Sequence, residues 1–430
     1  MDTDLIGSLP TAMYIATAVR SGQRTAVEFT RACLDHIAAF DDELNAFQHV
    51  RATEALAEAA AVDAGSRDLP LAGVPVAVKD NLAVAGVPVR HGSAATSERP
   101  AAKDDELVRR LRAAGAIIVG TTRMPELAAW AMTASQAFGI TRNPYDPSLE
   151  PGGSRGGSAV AVASGMAALA VGTDGGGSLR VPAAYCGLVA VKPTRGALPL
   201  PGDADEHWYG LSVSGPLART AEDATLALSA LGYPTTVSGT PRIAVSVKSP
   251  SPLGRPDQRQ LEAVRIAAER LGAEPASPHY PLSLFNQWGD RSLAGIAQDV
   301  DRLGLDEAGL EPRTRDMVRR GRKLIRKGRP GAETWTESAT RFFDDHDVLV
   351  TPVTATSPGP AGALNGKGYL RSYLTSARAV PFCPAWNLAG FPAVVVPVGM
   401  RDDLPLAVQL IGRPGSEGDL LAVAGRLEAR

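Results

Sequence analysis

Cysteine is scarce in this chain: Cys33, Cys186 and Cys383 are the only three in 430 residues, and they lie far apart. An odd number with no Cys-x-x-Cys pair excludes a disulfide framework and a thiolate metal knuckle, and fits a reducing compartment, read here as the cytoplasm. The six histidines include no His-Glu-x-x-His and no close pair, so no metal and no other cofactor is expected. Net charge is only −2, which leaves no field to attract nucleic acid or an anionic membrane. The basic stretch 313–329 reads as a solvated helix face. No apolar run approaches the ~20 residues of a membrane span. The opening Met1-Asp2-Thr3-Asp4, with a break at Pro10, resembles neither a signal peptide nor an anchor. Lysine is the last scarcity: there are seven, in a chain that carries its positive charge on arginine.

What remains is a composition of 44% hydrophobic and 21% charged residues, enough for one large core. Apolar spacing predicts helices over 11–19, 26–39 and 52–62, then a valine-rich strand over 73–78. A helix over 104–114 and a strand over 117–120 continue the alternation of an α/β layer architecture. Residues 140–157 are rich in turn signals, 158–170 read as a helix of small residues, 172–178 as the loop that ends it, and 188–191 as the next strand. A helix is expected to begin near Thr220, with Glu222 and Asp223 favourable in its first turn. The stretch 241–345 reads as a mostly helical flank or lid, and 348–353, 393–398 and 406–411 as buried strands before a last helix over 420–429. The expected organisation is a single domain: N-terminal helices to 65, a core over 66–240, the flank over 241–345, and closing elements over 346–430.

Three residues carry chemistry. Lys79 ends the apolar run Val74-Pro75-Val76-Ala77-Val78-Lys79. Such a lysine either snorkels to water or is kept dry as a base. At a pKa of ~10.4 it is neutral in roughly one molecule per thousand at physiological pH, and burial lowers that pKa by about 3–5. Ser154 lies in Gly152-Gly153-Ser154-Arg155-Gly156-Gly157-Ser158, and Ser178 follows 24 residues later in Asp174-Gly175-Gly176-Gly177-Ser178-Leu179-Arg180. The second loop is either a tight turn or a cradle of backbone N–H groups for an oxyanion, with Asp174 and Arg180 placed to pin it by hydrogen bonds. A serine beside bare N–H groups suits covalent acyl transfer.

Several other matches fail. Gly152-Gly153-Ser154-Arg155-Gly156 fits the nucleophile elbow of α/β-hydrolases, but Pro147 and Pro151 precede it where that motif requires a strand. His207, His279 and His346 have no distinctive setting. Val76-Ala77-Val78-Lys79 mimics a kinase lysine strand without any His-Arg-Asp or Asp-Phe-Gly. Neither glycine loop leads into Gly-Lys-Ser/Thr, so neither is a phosphate loop.

Taken in order, these segments resemble the amidase signature family almost end to end. Similar segments include Val78-Lys79-Asp80-Asn81, Met124-Pro125-Glu126-Leu127, Gly215-Pro216-Leu217-Ala218-Arg219, Asn387-Leu388-Ala389-Gly390 and Gln409-Leu410-Ile411-Gly412-Arg413-Pro414. The resemblance implies a large twisted mixed sheet wrapped in helices. It also implies Ser178 as nucleophile, Ser154 on a cis Gly153–Ser154 bond as bridging serine, Lys79 as base, and the N–H groups of Gly175, Gly176, Gly177 and Ser178 as oxyanion donors. Arg155 departs from the serine common in the family and is expected either to lower the Lys79 pKa, to contact a substrate carboxylate, or to crowd the site. Gly175 stands where threonine is common.

The implied activity is hydrolysis of a small-molecule amide, with Trp130, Trp208, Trp288 and Trp335 in regions able to line an acyl pocket or to anchor the fold. Two related activities remain open: the glutamine-hydrolysing component of a tRNA amidotransferase, for which the chain is short across 241–345, and an acyl transferase or amide synthase. A non-catalytic binding protein is disfavoured by the intact Ser-Ser-Lys set, and a homodimer is a fair expectation.

Overall fold

The structure, a computed structural model, describes residues 9–65 and 67–428. The acidic segment 1–4 and Ala429 of the expected last helix lie outside the described residues. The N-terminal helices run over Ala12–Arg20, Ala26–Leu44 and Ala52–Ala64. Thr25 starts the second with a reciprocal cap: its hydroxyl accepts the Glu28 N–H, and the Glu28 carboxylate accepts the Thr25 N–H. Two backbone donors that the helix cannot satisfy are paired in this way.

Eleven strands of the described residues form one mixed sheet. From one edge it runs Phe47–Val50, Ile117–Thr122, Pro75–Lys79, Leu169–Asp174, Val213–Ala218 and Val189–Lys192. It continues through Ala393–Arg401, Leu404–Gly412, Val348–Pro352, Ile243–Val245 and Glu274–Pro275. Pairing is parallel where Pro75–Lys79 lies between Ile117–Thr122 and Leu169–Asp174. The central pairs are antiparallel. Burial on both faces explains why Pro75–Lys79 and Val348–Pro352 read as continuous apolar runs rather than alternating ones. The last hairpin turns at Asp402 and Asp403, both at positive φ, as a two-residue hairpin turn demands.

The large mixed sheet surrounded by helices agrees with expectation, but two stretches differ from it. The small-residue helix covers only Gly156–Ala163; Gly165, at φ +71°, ends it, and the chain enters the strand Leu169–Asp174. Residues 172–174, expected in a loop, belong to that strand. Gly172 is there because a Cβ would fall 2.5 Å from Lys79 Cβ, so the glycine marks close packing rather than a turn. The flank 241–345 is not only helical either. Its strands Ile243–Val245 and Glu274–Pro275 extend the sheet in parallel beyond Val348–Pro352. Its helices Leu284–Leu303 and Pro312–Arg326 bury Ile296, Val300 and Val318 in a second apolar cluster with Trp335, Phe343 and Trp386. The helix over Ala221–Ala230 begins as expected, with the Thr220 hydroxyl accepting the Asp223 N–H at 3.1 Å.

Gly172→Ala drives a methyl group into the lysine stem, so it is expected to lose about 1–3 kcal/mol of stability, read as a lower midpoint in urea unfolding. An unchanged midpoint would show that the two strands separate freely.

Candidate active site

Pro75–Lys79 and Leu169–Asp174 pair in parallel with Val78 opposite Val171, so their C-terminal ends meet at one place in the sheet. Lys79 closes the first strand and Asp174 the second. Lys79 has no exposed surface. Its Nζ lies 2.7 Å from Ser154 Oγ and 3.3 Å from Thr173 Oγ1, and Asn81 Nδ2 donates to Thr173 Oγ1 at 3.0 Å. Ser154 is equally buried, and the Gly153–Ser154 peptide bond is cis. Ahead of it the chain makes turns and one isolated bridge at Leu149, with no strand leading into the serine.

Ser178 is half-buried in the loop between the strand Leu169–Asp174 and the helix Arg180–Tyr185. Gly177 takes φ +122° in this loop, a conformation that glycine alone adopts without strain. The loop is tied down by Asp174. Its carboxylate accepts the N–H groups of Gly177 at 2.7 Å and Leu179 at 3.1 Å, Arg180 Nε at 3.0 Å and Asn387 Nδ2 at 2.9 Å. Arg180 also reaches the Cys383 carbonyl, Gln409 Oε1 and Asn387 Oδ1. Gly177 therefore drops out of the expected set of oxyanion donors, because its N–H already serves the carboxylate. The N–H groups of Gly175, Gly176 and Ser178 have no protein acceptor among the described residues.

Charge around the lysine is asymmetric. Burial, reinforced by the Arg155 guanidinium and opposed by Asp174, holds the Lys79 pKa well below its ordinary value. The Asp174 pKa is held far below the usual carboxylate range: burial opposes this, but Arg180 and Asn387 overcome it. Arg155 is completely buried. Its Nη1 donates to the Gly215 carbonyl at 3.1 Å, while Nε and Nη2 have no hydrogen-bond partner among the described residues. Of the roles expected for Arg155, contact with a substrate carboxylate has no exposed surface to act from, and the side chain lines neither cavity beside Ser178. The electrostatic role fits its position.

A cavity of about 180 Å³ opens on Ser178, Gly153, Gly176 and Gly177 and is walled by Trp130, Trp208 and Trp288. Trp288 Nε1 donates to the Gly175 carbonyl at 2.9 Å. Trp335 instead packs at a tilt against Tyr280 and edge-on against Trp386 inside the second apolar cluster. Sequence reasoning passed over Thr173, Asn387 as a ligand of Asp174, and His207 as a member of a buried network. His207 binds Asp299, 92 residues away, at 3.0 Å. Proximity to Ser178 is visible only once the chain is folded.

The fold is that of amide-hydrolysing enzymes. The chain belongs to the Amidase family, whose model matches residues 28–273 and 316–421, and it is an amidase. It is 41% identical over 444 residues to the amidase named AmiB2 of Mycobacterium tuberculosis, covering 96% of this chain and 94% of that one. It is 34% identical over 479 residues to a glutamyl-tRNA(Gln) amidotransferase chain of Salinispora arenicola, covering 97% of this chain and 96% of that one. Among solved structures, that of 6-aminohexanoate cyclic dimer hydrolase complexed with substrate superposes with a TM-score of 0.85 at 26% identity, covering 98% of this chain and 96% of that one.

Removing one partner of a buried ion pair strands the other. Asp174→Ala is therefore expected to lower stability by about 3–5 kcal/mol, measured by denaturant unfolding. A loss below about 1 kcal/mol would mean that Arg180 finds other partners and that the carboxylate does not hold the loop.

Proposed function

We propose that the chain hydrolyses small-molecule amides in the cytoplasm through an acyl-enzyme on Ser178, with Ser154 and Lys79 as its proton relay. The observation that carries this reading is Lys79 Nζ at 2.7 Å from Ser154 Oγ with no exposed surface on either residue. Among the described residues no helix is long and apolar enough to cross a membrane, and the three cysteines are free thiols. Both fit the compartment.

In the proposed reaction, Ser178 Oγ bonds to the amide carbon as its proton passes to Ser154 and that of Ser154 to neutral Lys79. The N–H groups of Gly175, Gly176 and Ser178 take the developing oxyanion; one such donor is typically worth ~10²–10³ in rate. The relay then returns the proton to the amide nitrogen, the C–N bond breaks, and water cleaves the ester. A group matched to this work needs a pKa near the working pH, which a solvated lysine lacks.

A second reading, release of ammonia from glutamine for a partner, is favoured by the 34% identity to the amidotransferase chain. The cavity walled by three tryptophans suits an apolar acyl group better than the polar side chain of glutamine. Amide hydrolysis by the purified chain alone separates the two.

A fluorophosphonate probe followed by peptide mass mapping is expected to modify Ser178, at least about a hundredfold more slowly in Lys79→Ala. Modification of Ser154 instead would reverse the serine roles, and an unmodified protein would sink the acyl-enzyme.

The pH profile tests the charge next to the lysine. Lys79 is a base only when neutral, so activity falls as pH drops through its lowered pKa. Arg155→Met removes a cation that disfavours protonation. The Lys79 pKa then rises, and the acid limb of kcat/KM moves to higher pH, with activity recovering in alkaline buffer. An unmoved limb would mean that Arg155 only packs.

A further inference from the structure

Ser178 and Trp208 border a second cavity besides the large one. The two differ in size and in chemistry. The larger, about 180 Å³, is walled chiefly by Trp130, Trp288, Phe285, Leu293 and Met317. The smaller, about 20 Å³, is walled by Asn81, His91, Thr173, His207 and Asp299 together with a few apolar side chains such as Met124. A water needs about 10–15 Å³ of such space, so the small cavity takes one guest the size of water or ammonia.

The small cavity also borders the relay at Ser178. Thr173 Oγ1, in its wall, is 3.3 Å from Lys79 Nζ and accepts Asn81 Nδ2 at 3.0 Å. A nitrogen held there borders Ser178 and is one residue, Thr173, away from the lysine of the relay.

Its walls are pinned rather than free to swing aside. Asp299 pairs with His207 Nε2 at 3.0 Å and accepts from Trp208 Nε1 at 2.7 Å and Arg302 Nη2 at 3.1 Å. His207 Nδ1 lies 2.7 Å from Ser212 Oγ. The Asp299 charge is thus matched within the wall and is not presented to a cationic guest. Burial holds the His91 pKa down, to about 4, so that imidazole is neutral and offers one donor and one acceptor.

We propose that the small polar cavity is the subsite of the leaving nitrogen and then of the incoming water, and that the enzyme is selective for primary amides of bulky apolar carboxylic acids. This rests on the Ser178 acyl-enzyme proposed above. The C–N bond breaks as ammonia leaves with the proton first lost by Ser178. Water then enters the emptied subsite and adds to the ester carbon as the relay takes its proton; the bond to Ser178 Oγ breaks, that oxygen regains the proton, and the carboxylic acid leaves. A substituent on the nitrogen has to displace side chains held by the Asp299 network.

The test is a panel built on hexanoic, phenylacetic and 3-phenylpropanoic acids, each as its primary, N-methyl and N-butyl amide, with fluorophosphonate labelling run in parallel. The expected result is a kcat/KM for each primary amide at least about tenfold above its N-methyl amide and higher still above its N-butyl amide. His91→Gly widens the cavity at a residue whose φ is +48°, a backbone that glycine tolerates. It is expected to raise the N-methyl to primary ratio at least about tenfold. Met124→Ala, in the same wall, serves if that variant does not fold.

N-butyl amides cleaved as fast as primary ones, or a ratio unmoved in a folded enlarged variant, would overturn the inference and leave the acyl-enzyme standing. A labelled Ser178 with no primary amide of the panel cleaved would overturn it too. No label and no hydrolysis would remove the acyl-enzyme reading and this inference together.

Discussion

A lysine can take a proton at neutral pH only if its ammonium form is denied water, and the interior around Lys79 is built to that constraint. The strand that carries it is buried along its whole length. Gly172 on the neighbouring strand brings bare backbone against the lysine stem. The helix Gly156–Ala163 is made of glycine, alanine, valine and one serine, all buried. Small residues let that helix and the sheet close around the lysine so that none of its surface is exposed. Desolvation alone displaces a lysine pKa by several orders of magnitude in proton affinity, so this packing precedes any finer arrangement of the site.

The loop of Ser178 is governed by a different rule. A chain of three glycines has many conformations to lose, and Asp174 removes that freedom by accepting from both Gly177 and Leu179. A carboxylate so deeply buried must be paired, and Arg180 and Asn387 provide the pairing from either side. Asn387 belongs to the short helix Pro384–Ala389, so the geometry of the loop depends on C-terminal chain 213 residues away from Asp174. Closure of the sheet by the C-terminal strands and shape of the Ser178 loop are one structural problem.

This explains which parts of the site were legible in the sequence. Lys79 at the end of an apolar run and the two serines at their fixed spacing are local signals, and so was the cap at Thr220. The strand Leu169–Asp174 was hidden because Gly172 and the following glycines imitate a loop, while the alanines before them imitate a helix. Asp174 was read as pinning the loop, but which of the successive N–H groups it takes depends on the loop's backbone angles, so Gly177 still looked like an oxyanion donor. Arg155 looked able to meet a substrate because sequence does not reveal which way a side chain faces. The His207–Asp299 pair spans 92 residues with no motif at either end. Long-range polar pairs in the wall of a cavity leave no periodic trace, since periodicity records only which face of an element is apolar.

The two arginines act on the lysine in the same direction by different routes, Arg155 directly and Arg180 by way of Asp174. Asp174 is the anion near Lys79 and by itself favours the ammonium form. Its contact with Arg180 at 3.0 Å, both side chains fully buried, makes a near-neutral pair of it. Arg155 has no ion-pair partner among the described residues, only the Gly215 carbonyl, with Asp174 acting on it from farther off. In a medium of low effective dielectric a nearby cation acts far more strongly than in water. The clamp that shapes the Ser178 loop thus also masks the one carboxylate that would keep the base protonated, and the surplus cation beside it works in the direction that frees the lysine lone pair. A serine at 155, the residue common in the family, leaves that task to burial alone. On the proposed relay, Arg155 therefore bears on the protonation of Lys79, while the two cavities beside Ser178 are lined by side chains elsewhere.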